Sequence, residues 1–114
     1  MHYRLICRDV DTMPLFPVRK QVFEWISENK RTVEIREGKS KKGDEAVFRS
    51  GKNVVRRLII ERREGHLRYL LLHYGFKRVI PTVHTLEETL RFYETLGTNI
   101  NGIFTAYVLA GNGE

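Results

Sequence analysis

The chain has 114 residues, a formal charge of +6 and 41% hydrophobic residues, which suits one domain spanning residues 1–114. Its one cysteine, Cys7, excludes an internal disulfide framework and a cysteine zinc site, and agrees with a reducing compartment. No apolar run approaches the ~20 residues of a membrane span. The opening "MHYRLICRDVD" lacks the layout of a secretory leader, so a cytoplasmic protein without a membrane partner is expected.

Taken in order, "HYRLICR" alternates as a first strand, and "DVDTMPLFP" reads as a loop with two prolines. Pro17 suits the first turn of a helix, where a missing N–H costs nothing. Val18, Val22, Trp25 and Ile26 then recur at helical spacing, giving a helix that ends near Asn29. From Thr32 the period becomes two, with Val33 and Ile35 on one face and Thr32, Glu34 and Arg36 on the other. "EGKSKKGD" is a loop with turn residues at both ends, "EAVFRS" a strand, and "GKN" a tight hairpin connection. "VVRRLIIERRE" is a long strand that Gly65 should end, and "HLRYLLLHYG" a short helix stopped at Gly75. In "HTLEETLRFYETLG", Thr85 and Glu88 have capping-box spacing and Gly97 can close the helix. "NGIFTAYVLA" alternates as a last strand. Helices set between strands that tight turns otherwise join point to an α+β fold with a small curved or barrel-like sheet.

The charge is concentrated. Between Lys30 and Arg63 stand twelve cations against five anions, a net +7. Such clustering favours a polyanionic partner, because each neutralised phosphate releases condensed counterions. The alternative is a solvated strand face. Glu34 and Arg36 share a face and offer a carboxylate acceptor beside a bidentate donor, the complement of a nucleobase edge. Lys39, Lys41 and Lys42 on the loop suit phosphate contacts, which need charge and reach but little fixed geometry. Tyr69, Tyr74 and Phe76 can stack on bases or pack among the leucines around them. The four histidines show no metal-site spacing, so neither metal nor cofactor is expected.

A helix running into Asn29-Lys30-Arg31-Thr32, a strand with Glu34-x-Arg36, a basic loop and the turn Lys42-Gly43-Asp44 resemble the hallmark of ASCH domains, a branch of the PUA-like fold. "GFKRVIPTVHTLEETLRFY" and the closing "GIFTAYVL" are similar to later segments of that family, so the resemblance covers nearly the whole chain. It implies a β-barrel of five or six strands with flanking helices, and a cleft lined by the Glu-x-Arg strand and the loop after it. It also implies binding of RNA or another nucleic acid; Glu34 and Arg36 would then sit in the cleft, with Arg31, Lys39, Lys41 and Lys42 contacting phosphate. A few members are amidohydrolases acting on N4-acetylcytidine, with catalytic lysine and threonine in a K-T-x-T-x-R stretch. Arg31 and Glu34 occupy those two positions here. A guanidinium does not yield its proton at neutral pH, so Arg31 cannot act as base or amine nucleophile. Glu34 is then the candidate catalytic base if the same cleft serves a small hydrolase acting on a modified nucleoside or, as a ribonuclease, on RNA, and the residues favour recognition over catalysis.

Overall fold

The computed structural model describes residues 14–111. The strand expected over residues 2–8 lies outside them, as do His2 and Cys7. Five strands and three α-helices follow in order: β1 (Leu15–Pro17), α1 (Lys20–Ser27), β2 (Val33–Glu37), β3 (Glu45–Ser50), β4 (Asn53–His66), α2 (Leu67–Tyr74), α3 (Leu86–Thr95) and β5 (Ile103–Leu109), with a 3-10 turn at Phe76–Arg78. The sheet order is β1-β3-β4-β5-β2, and the sheet curls into a half-barrel, so the expected α+β class holds. No helix among the described residues is long and apolar enough to cross a membrane.

β4 joins the two halves. Its first part pairs antiparallel with β3, Glu45 opposite Leu58 through Ser50 opposite Asn53, across the Gly51-Lys52 turn. Its second part pairs with β5, from Ile59 opposite Leu109 to His66 opposite Ile103, with a register shift between Ile59 and Glu61. Gly65 does not end this strand as its residue type suggests. It pairs with Phe104, and its missing side chain serves packing instead: a Cβ there would lie 3.2 Å from the Tyr69 ring. β5 then pairs with β2, Val33 opposite Val108.

The second departure is β1. Leu15–Pro17 pairs in parallel with Val47–Arg49, so Pro17 closes a strand rather than opening a helix. Three residues between prolines carry no periodic signal, and only a distant partner makes them a strand. α1 lacks a side-chain cap at Arg19. Its stability comes from Val22 and Ile26, packed against Phe16, Phe48, Tyr107 and Leu109. The opposite sheet face, built from Val33, Ile35, Phe104, Ala106 and Val108, is covered by Leu67, Leu70 and Leu71 of α2 and Tyr93 of α3. α3 begins with the expected capping box: Glu88 N–H donates to Thr85 Oγ1 at 3.1 Å, and Thr85 N–H donates to Glu88 Oε1 at 3.0 Å.

Candidate nucleic-acid interface

The curl leaves its two edge strands, β1 and β2, facing one another, and the polar residues of β2 occupy the gap. Glu34 is 0% exposed and lies between two guanidiniums. Arg31 Nε donates to Glu34 Oε1 at 2.9 Å, and Arg36 Nε donates to Oε2. Burial pushes the Glu34 carboxyl up, but Arg31 and Arg36 outweigh it and hold it below the usual carboxylate range. It is therefore ionised, with both oxygens engaged.

Arg31 is itself 6% exposed and donates a second time, to the Val79 carbonyl. Burial works against its charge, yet Glu34 and the Tyr93 hydroxyl beside it keep it firmly protonated. Burial pushes the Tyr93 phenol up to about 12, so it stays neutral and donates to the Ile35 carbonyl at 2.9 Å. Arg31, Glu34 and Tyr93 thus form one satisfied network in the wall of the gap.

Arg36 crosses the gap. Its side chain is one-third exposed, and Nη2 donates to the Pro17 carbonyl of β1 at 3.0 Å. The guanidinium lies over the Phe16 ring, 4.8 Å from the centroid, and Lys41 Nζ lies 5.2 Å from the same centroid. One aromatic ring thus carries two cations. Around this group opens a cavity of about 400 Å³, lined by Phe16, Val22, Glu34, Arg36, Lys41 and Phe92 of α3. Pockets of this volume accept small organic molecules, and its mix of apolar walls with a few fixed polar groups suits an amphipathic ring.

The basic loop 38–44 is held by its backbone. Gly38 N–H donates to Ile103 O at 2.8 Å, and Thr105 Oγ1 donates to Gly38 O at 2.7 Å. Ser40 N–H donates to Glu64 Oε2 at 2.8 Å, and Lys41 N–H to the Tyr107 hydroxyl at 3.0 Å. Arg62 of β4 donates to the carbonyls of Lys41 and Gly43. The chain path is fixed while Lys39, Lys41 and Lys42 remain exposed. Gly43, at φ 113, makes the turn that returns the loop to β3.

Of the residues expected at an interface, Glu34, Arg36 and Lys41 meet at the cavity, with Arg31 buried in its wall. Lys39 and Lys42 sit on the loop outside that lining. Phe16, Tyr93 and Tyr107 complete the site without having been marked by the sequence reading. Tyr107 carries a faint signal, since β5 alternates and its odd residues face Glu34 and Arg62. Phe16 carries none. Other cations serve the scaffold: Arg57 Nη2 reaches the carbonyls of Ile26 and Ser27 at the end of α1, at 3.3 and 3.4 Å. Tyr69, Tyr74 and Phe76 do not line the cavity. Among the described residues, no three His, Cys, Asp or Glu side chains gather as metal ligands would.

No family model matches the chain, and no curated protein matches it in sequence. Solved structures do. The hypothetical protein PH0355 superposes with a TM-score of 0.70 at 20% identity, covering 83% of this chain and 94% of that one. ASCH from Zymomonas mobilis gives 0.64 at 16% identity, covering 87% of this chain and 67% of that one. A single-residue variant of that protein gives 0.65 at 14%. At these identities the likeness establishes the fold, which is ASCH-like.

Proposed function

We propose that this ASCH-like domain binds single-stranded RNA, taking one unpaired or modified base into the cavity while the lysine loop contacts phosphate. The observation that carries this reading is the geometry around Phe16. A recess of about 400 Å³ presents the guanidinium of Arg36, immobilised by Glu34 and Pro17 O over the buried Phe16 ring. Arg36 Nη1 has no partner among the described residues and remains for a base carbonyl or ring nitrogen. Lys41 at the rim and Lys39 and Lys42 beyond it supply the charge that a backbone requires.

Glu34 supports recognition more than catalysis. Its two oxygens accept from guanidiniums and its proton affinity is lowered, so it makes a weak base and a good anchor for Arg36. The reading is tested by fluorescence anisotropy of a labelled single-stranded RNA across a salt series. Affinity falls as salt rises, and reversing Lys39, Lys41 and Lys42 to Glu reduces the log–log slope by at least about 2, at roughly 0.7 per lost phosphate contact. Absent binding at low salt, or a slope indifferent to the triple variant, overturns it.

A further inference from the structure

We propose that the exposed rings of Tyr69 and His73 form a stacking platform for a second base, one that lies beyond the nucleotide held in the cavity. This rests on the RNA reading above.

Three rings gather where β4 runs into α2. Tyr69 and His73 stack at 5.6 Å with planes 25° apart, and His73 meets Tyr74 edge-on at 4.6 Å. The core does not explain the position of Tyr69, which is 47% exposed. The ring is nonetheless placed with care. Gly65 lets it lie against the strand, where a Cβ would stand 3.2 Å from Cδ2 and press the ring outward. Tyr74 is fixed in turn by its hydroxyl, which donates to Glu61 and accepts from Arg63 Nε at 3.2 Å. Ordered aromatic surface of this kind, open to solvent, is what sequence-tolerant base stacking uses.

The platform lies across β4 from the lysine loop. β3 leaves β4 at Leu58, and loop 38–44 passes over one face of β4 and β5, held through Arg62 and Glu64 of β4 and Thr105 and Tyr107 of β5. Arg63, the residue between Arg62 and Glu64, points to the opposite face and reaches Tyr74. A strand leaving the loop therefore meets the rings after passing one strand edge. The local cations are paired, Arg63 with Glu61 at 3.6 Å and Arg68 with Glu87 at 3.7 Å. The contact is thus one of stacking, with phosphate charge met elsewhere.

That division of labour gives the test. Anisotropy is measured with labelled single-stranded RNAs of about three and about ten nucleotides, within the range one small domain spans. Tyr69→Ala weakens the longer RNA by about 5-fold to 100-fold, leaves the shorter one unchanged and leaves the salt slope unaltered. His73→Ala acts in the same sense, and Tyr69→Phe retains affinity. Equal affinity of Tyr69→Ala and the parent for the longer RNA overturns the platform alone, as does an equal loss on both lengths. A parent protein that binds neither RNA overturns the cavity reading and the platform with it.

Discussion

Glu34 is an anion buried from bulk solvent, held by two cations of which one, Arg31, is also buried. Removing one partner from such a group costs more than the group itself contributes, because the remaining charges stay desolvated. Glu34→Gln, which keeps the shape and discards the charge, should lower unfolding free energy by about 3 kcal/mol in urea melts. The same substitution alters the response to acid. The folded carboxyl titrates below the unfolded value near 4.5, so its contribution is complete above that pH and disappears as pH falls through the folded pKa. Urea melts across the acid range should show the parent losing stability below about pH 4.5 more steeply than Glu34→Gln. Parallel curves would show that Glu34 is not held as the geometry indicates.

The helix bearing Phe92 and Tyr93 is set by its first turn, and so the cavity wall depends on Thr85. Thr85→Ala removes one half of the capping box and should cost about 1 kcal/mol, lowering the thermal midpoint by roughly 5 °C, while Thr85→Ser costs little. A melt in which alanine and serine behave alike would exclude the cap as the cause. This helix was also the element most plainly written in the sequence, since cap, period and terminal glycine are all local signals. β2, β3 and β5 were legible for the same reason, through alternation. Two elements were not. β1 exists because Val47–Arg49 lies alongside it, a contact between segments some thirty positions apart. The run of β4 through Gly65 depends on Phe104 opposite and on Tyr69 above, neither of which a local pattern records. The site divides in the same way: alternation placed Glu34 and Arg36 together, but only the three-dimensional curl brought Phe16 beneath them. Burial of Arg31 was equally invisible, because its partners Val79 and Tyr93 arrive from the far end of the chain.

Across the whole molecule, the positive cluster separates into working and structural charge. Arg31, Arg57 and Arg62 are turned toward carboxylate or carbonyl groups of the scaffold, whereas under the proposed function the loop lysines and Arg36 are the cations that meet RNA. Arg36 is also the side chain that spans the two edges of the half-barrel. Arg36→Lys keeps the charge but loses the fork that serves Glu34 and Pro17 together. Amide exchange at Phe16 and Val18 should then accelerate about fivefold, matching one hydrogen bond of about 1 kcal/mol, while β5 amides remain protected. Uniform acceleration, or none, would count against a seam at this point. The same seam bears on self-association. An open sheet offers two free borders on which a second chain can build, and such borders seed aggregation unless they are blunted. Among the described residues, one border is three residues long and ends in Pro17, which has no N–H to give and whose carbonyl is already taken by Arg36. The other has its Ile35 carbonyl occupied by Tyr93. The groups that shape the recess therefore also blunt both described borders as templates for another strand.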